Sequence, residues 1–179
     1  SFGVTGPILR ASGVDWDLRK QRPYMGYEQY DFDVPVRTEG DNYARYLVRM
    51  QEMRESLKIV EQALNRLPMG PVRSGNRKFV PPPRSEIGTS MEALIHHFKL
   101  WTEGFDAPKA SIYSAVEGPR GELGVYLEGD GGPKPYRVHM RTPSFENVGV
   151  IAEISKGHLV ADLIAIIGSV DFVLGDIDR

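Results

Sequence analysis

A run of apolar residues beginning at Tyr43 sets the strongest constraint on the fold. Tyr43, Tyr46, Met50, Met53, Leu57, Val60, Leu64 and Leu67 follow one another at spacings of 3, 4, 3, 4, 3, 4 and 3. That pattern is one face of an α-helix of about seven turns. Asp41 is the expected N-cap, since its carboxylate can accept from a free first-turn N–H, and Pro68 is the expected stop. The opposite face carries Arg45, Arg49, Glu52, Glu55, Lys58, Glu61 and Arg66, several of which can pair at helical spacing. The apolar stripe is expected to pack inside the domain or against another subunit.

Ahead of this helix, Gly3, Gly6, Pro7, Gly13, Pro23, Gly26 and Pro35 break the chain too often for one long helix. Short helical turns and loops pinned by Trp16, Tyr24, Tyr27, Tyr30 and Phe32 are expected instead. Arg10, Arg19 and Lys20 form a small basic cluster and Asp31 with Asp33 an acidic one, both read as exposed loop charge. After the helix, Pro68, Gly70, Pro71, Gly75 and Pro81 to Pro83 predict a long surface loop, solvated around Arg73, Arg77, Lys78 and Arg84. Thr89 and Glu92 stand in capping-box spacing and open a second helix, with Met91, Leu94, Ile95, Phe98 and Trp101 as its buried face and Gly104 as its end. His96 and His97 are adjacent and point about 100 degrees apart on a helix, so they do not share a metal.

The period then shortens to two. Ile112 to Val116, Leu123 to Leu127 and Tyr136 to Met140 read as a three-stranded antiparallel meander, turning at Gly118-Pro119-Arg120-Gly121 and Gly129 to Gly132. Thr142-Pro143-Ser144 opens a further helix with Phe145, Val148 and Ile151 inward, and Gly157 ends it. From Leu159 the chain is rich in Ile, Val, Leu and Phe almost to Arg179, so this tail is expected to be core and the wall of a site. The fold class is therefore α+β, mainly α-helical, in a single domain over residues 1–179.

Composition excludes several functions. With 0 cysteines the chain has no disulfide, no thiolate nucleophile and no thiolate for zinc or an iron–sulfur cluster. A formal charge of -2 gives no electrostatic reason to expect nucleic acid or an anionic membrane surface as partner. Leu163 to Ile167, the longest apolar run, is far short of the roughly 20 residues that span a bilayer. No phosphate-binding glycine loop, zinc-protease helix or nucleophile elbow is present. His158 and Asp162 are four residues apart and can pair on a helix face, where a carboxylate would raise the imidazole's pKa and orient it for proton transfer. A structural pair is the commoner meaning of that spacing. The start at Ser1, without an initiator methionine, suggests a fragment or processed chain.

A set of motifs adds what periodicity does not. Val4-Thr5-Gly6-Pro7, Leu9 to Gly13, Trp16 to Lys20, Tyr30 to Pro35, Glu92 to Leu100, Thr102-Glu103-Gly104, Gly118 to Glu122, Ser155 to His158 and Gly175 to Arg179 occur in this order over essentially the whole chain. Together they resemble the C-terminal half of the 49-kilodalton subunit of respiratory complex I, the proton-translocating NADH:quinone oxidoreductase. That family is related to the large subunit of nickel–iron hydrogenases, and Glu117 to Gly121 is similar to a turn of those enzymes. Without cysteine, the hydrogenase nickel site is absent.

The resemblance implies a hydrogenase-large-subunit-like fragment that lines a quinone chamber beside the terminal iron–sulfur cluster of a neighbouring subunit. Asp171, Phe172 and Val173 are its expected quinone-binding residues. Arg179, His158, Asp162 and Arg120 are expected near the cluster or on a proton path, no residue is assigned a catalytic role, and the chain holds no metal. Quinone occupies a shared site, while NADH binds elsewhere in the complex. The expected partners are peripheral-arm and membrane-arm subunits, at the cytoplasmic side of a prokaryotic plasma membrane or the matrix side of the inner mitochondrial membrane. Family members are considerably longer, so the fragment alone is expected to lack activity. The alternatives are a component of a hydrogenase-like or other donor:quinone dehydrogenase complex, and a non-catalytic scaffold that keeps the interfaces.

Overall fold

A computed structural model describes residues 2–178. Its contacts gather into two compact units. The first takes the chain up to Leu67, then Tyr113–Val125 and the part from Met140 onward; the second takes Pro68–Ile112 and Tyr126–His139.

The first unit opens with two single-turn helices, α1 (Pro7–Arg10) and α2 (Leu18–Gln21), and a 3-10 turn at Tyr27–Gln29. Asp17 caps α2 by accepting from the Arg19 N–H. Edge-to-face contacts of Tyr27 with Tyr24 at 5.1 Å and with Phe32 at 6.3 Å hold the following loop, as the aromatic spacing predicts. Glu55 then ties that loop to the long helix, accepting from the Asp33 N–H at 3.1 Å.

The long helix, α3 (Asn42–Asn65), starts where expected, with Asp41 Oδ1 accepting from the Ala44 N–H at 2.7 Å. Its orientation differs from a helix that buries its apolar stripe inside the unit. Tyr43, Tyr46, Met53, Leu57, Val60, Leu64 and Leu67 are each more than half exposed, whereas Ala44, Arg45, Val48 and Glu55 are buried. The cause lies in the neighbours. Ala44 and Val48 close against Ala11, and α3 packs on α1 and on α7 (Val160–Val170). Small residues allow close approach there, and buried Arg45 finds its acceptors: it donates from Nε to Ser169 Oγ at 2.9 Å, from Nη1 to the Gly40 carbonyl at 2.8 Å, and from Nη2 to Asn42. Periodicity identifies the helix, but hydrogen bonding decides which face goes in.

Three further helices complete this unit: α6 (Pro143–Ile154), α7 and α8 (Leu174–Asp178). Thr142 makes no side-chain cap; instead Asp176 Oδ2 accepts from the Ser144 N–H at 3.1 Å, so the tail caps α6. Phe145, expected inward, is 48% exposed, because the inward face of α6 is Ser144 and Asn147. Gly157, at φ +81, separates α6 from α7 as predicted. In α7, Ile166 and Val170 are buried while Val160 and Ile164 are exposed, so one edge of the tail joins the core.

The second unit contains α4 (Arg84–Ile87) within the proline-rich loop and α5 (Met91–Thr102). Ser90, one residue after the expected Thr89, caps α5 by accepting from the Ala93 N–H at 3.3 Å. Ala93 is its buried residue; Met91, Leu94, Ile95, Phe98 and Trp101 are exposed, contrary to the expected burial of that face. The strands β1 (Ala110–Gly118), β2 (Gly121–Gly129) and β3 (Pro135–Arg141) form one sheet in the order β1-β2-β3, the predicted meander. No helix among the described residues is long and apolar enough to cross a membrane.

Candidate functional site

The turn between β1 and β2 is held by contact of backbone on backbone. Gly6 and Gly121 both lie at positive φ, and a Cβ on Gly6 would fall 2.5 Å from the Gly121 Cα. Only glycine fits either position. The Thr5 hydroxyl accepts from the Glu122 N–H at 2.9 Å, and Asn147 Nδ2 donates to the Arg120 carbonyl at 3.3 Å. These contacts together fix Glu117, Pro119 and Arg120.

Below this turn lies a cleft of about 360 Å³, lined by Arg10, Arg19, Arg49, Glu52, Glu117 and Asp171, with Met53 and Pro119 as apolar patches. Arg10 is its hub. Fully buried, it pairs with Glu52 at 2.6 Å and Glu117 at 2.8 Å, stands 3.8 Å from Asp17, and donates to the Trp16 carbonyl. Burial alone would lower its pKa, but Glu52 and Glu117 outweigh that and raise it. Glu117 also accepts from the Leu18 N–H at 3.2 Å, while its own N–H donates to the Tyr24 hydroxyl at 2.9 Å. Asp17 pairs with Arg19 at 2.6 Å; burial opposes its ionisation, yet Arg19 holds its pKa below the usual carboxylate range. Glu52 goes the other way, its pKa raised because burial outweighs Arg10.

The tail closes the cleft from the side. Asp171 sits at the C-terminus of α7 in the left-handed region, φ 55. Arg120 donates from Nε to its carbonyl at 2.7 Å and lies 3.5 Å from its carboxylate. Arg49 donates to the Val170 carbonyl at 3.4 Å. Two cations thus meet the negative end of α7.

Of the residues singled out by sequence, Arg120 and Asp171 come together, and Asp171 lines the cleft. Phe172 is half-buried and Val173 is 42% exposed; neither is in the cleft lining. His158 and Asp162 do not pair among the described residues: the Asp162 carboxylate accepts from the Leu159 N–H at 3.0 Å and caps α7. His158 instead borders a separate depression with Asp41 and Arg45. Arg179 lies outside the described residues. Sequence reasoning missed Arg10, Arg19, Arg49 and Glu52. For Arg10 the signal was present in its apolar neighbours Ile8, Leu9 and Ala11, a poor setting for a solvated loop charge.

Residues 1–179 match the family model of the respiratory-chain NADH dehydrogenase 49 Kd subunit. The chain belongs to that family. It is 59% identical to a NADH-quinone oxidoreductase subunit of Roseiflexus sp. (strain RS-1), over 100% of this chain and 44% of the relative. The corresponding NADH-quinone oxidoreductase subunits of Ehrlichia chaffeensis and Geobacter sulfurreducens are 55% and 53% identical over 99% of this chain and 45% and 46% of their own lengths. The chain thus spans less than half the length of the curated relatives it matches. Three of the motifs read from sequence fall at the cleft: Leu9 to Gly13 contributes Arg10, Trp16 to Lys20 contributes Arg19, and Gly118 to Glu122 forms the turn.

Proposed function

We propose that this chain forms part of the wall of the quinone-reduction chamber of a proton-translocating NADH:quinone oxidoreductase. The observation that carries the reading is the junction of Arg120 with Asp171 at the edge of a polar cleft, in a chain that belongs to the family along its whole length. A quinone headgroup is a flat ring with two carbonyl acceptors. It needs a few fixed donors and some apolar contact. Arg49 provides a donor and cationic charge, Arg120 ties Asp171 to the turn, Met53 and Pro119 provide apolar surface, and the Arg10 hub keeps the turn in place. Phe172 and Val173 continue the wall toward the quinone tail.

In this proposal the chain holds no redox centre. Lacking cysteine, it supplies no thiolate to a cluster, so electrons arrive through an iron–sulfur cluster of a neighbouring subunit while NADH binds elsewhere. The chain would be a peripheral component on the cytoplasmic or matrix side, attached through other peripheral-arm and membrane-arm subunits, and inactive by itself. The test is Val173→Met in the assembled complex. The reading expects a changed KM for quinone or a changed inhibitor affinity, with NADH:ferricyanide reduction preserved as the measure of electron entry. Unchanged quinone kinetics in that complex would count against the wall.

A further inference from the structure

We propose that Arg49 is the residue of the cleft that receives an oxygen of the bound ligand; resting on the reading above, that oxygen is a carbonyl of the quinone headgroup. The inference comes from which cations are already occupied. Arg10 has Glu52 and Glu117 at contact, and Arg19 has Asp17. One turn before Arg49, Arg45 donates to three neutral acceptors. Arg120 is taken up by Asp171. Arg49 differs from all four. Its hydrogen bond to the Val170 carbonyl is long, at 3.4 Å, and its Nε is buried without a partner among the described residues.

A buried guanidinium N–H without an acceptor is costly, and an incoming oxygen that accepts from it removes the cost. The surroundings select the kind of oxygen. Glu52, Glu117 and Asp171 line the same cleft as Arg10, Arg19 and Arg49, so its acidic and basic side chains balance and leave no net charge to hold a fully ionised ligand. That balance favours a neutral carbonyl, whose oxygen becomes richer in electrons as the ring is reduced and is then held more tightly by the cation. Burial holds the Arg49 pKa below its usual value; Asp171 and Glu52 attract the charge in part and Arg120 repels it. Met53 and Pro119 offer the ring an apolar surface beside it.

The experiment uses the assembled complex, with decylubiquinone as probe and NADH:ferricyanide reduction as control for assembly and electron entry. Arg49→Met is expected to raise the KM for decylubiquinone by about tenfold or more, while Arg49→Lys, which restores a cation, stays within a few-fold of the unmodified enzyme. An unchanged KM in Arg49→Met with a normal ferricyanide rate overturns the assignment. Should that variant fail to assemble, Arg49→Lys and Arg49→Gln decide. A rising KM in that order supports the role, and equal values overturn it. Asp171→Asn and Val173→Met separate the role of Arg49 from that of the wall as a whole. If they move the quinone KM and the Arg49 variants do not, Arg49 alone is wrong; if none moves it, the quinone reading falls with it.

Discussion

Arg120 holds Asp171 twice, by a 2.7 Å hydrogen bond from Nε to its main-chain carbonyl and by a terminal nitrogen 3.5 Å from its carboxylate. The first contact fixes the end of α7 and the second acts on charge, so substitutions can separate them. The two side chains are 33% and 45% exposed, which weakens the ionic part through solvent screening. Asp171→Asn keeps the carbonyl and tolerates the left-handed backbone. It is expected to change chain stability by less than about 0.5 kcal/mol, whereas Arg120→Ala should cost about 1 to 3 kcal/mol. Denaturant titration of both variants measures the difference.

Arg10→Met should be among the most damaging single changes in the chain. It removes the cation between Glu52 and Glu117 and leaves their charges buried without compensation, a loss of roughly 3 to 5 kcal/mol. The triple variant Arg10→Met, Glu52→Gln, Glu117→Gln is expected to regain part of that loss, and additive penalties in a mutant cycle would contradict the hub.

The carboxylates around the hub predict the acid limb of stability. Asp17 has its pKa depressed in the folded state, so its contribution is fully present above the ordinary carboxylate value and disappears as pH falls through the folded value. Glu52, with a raised pKa, has the opposite sign and favours the fold as it protonates. Asp17→Asn should therefore flatten the dependence of stability on pH between about 2 and 6, while Glu52→Gln should steepen it. Unfolding curves at several pH values in that range provide the check.

The glycine contact predicts a local and severe response. Gly6→Ala places a Cβ inside the backbone of Gly121 and adds strain from its positive φ. An expected loss of about 2 kcal/mol or more should be accompanied by faster hydrogen exchange at the Glu122 amide, which donates to Thr5 in the unmodified chain. Gly149→Ala on α6, where a Cβ meets open space, is the control and should be neutral or stabilising.

On α3 the two faces should respond unequally. Val48→Ala, at a fully buried position, is expected to cost about 1 to 2 kcal/mol, and Leu57→Ala, 69% exposed, less than about 0.5 kcal/mol. Thermal unfolding of the two variants compares them directly.

That asymmetry shows what was legible in the sequence. Element positions were readable because periodicity, prolines and glycines act locally: α3 began at Asp41's cap, Gly157 divided two helices, and the three strands appeared in order. Burial was not, because it depends on what lies opposite. The stripes of α3 and α5 face outward while Arg45, Glu55 and Asn147 go in, and no residue count reveals partners supplied from distant parts of the chain. Arg120 and Asp171, 51 positions apart, were each singled out, but their meeting follows only from packing the turn against the end of α7. Arg49 looked like an ordinary cation on a polar helix face; that its Nε is buried without a partner among the described residues emerges only in three dimensions.

Where Gly6 meets Gly121, no side chain stands between the two backbones. Side chains behave as springs, giving way by changing rotamer, but two peptide chains at van der Waals contact form a hard stop. The height of the turn above α1 is thus set by covalent dimensions. Glu117 and Arg120 inherit that constraint at their backbones, from which their side chains reach Arg10 and Asp171.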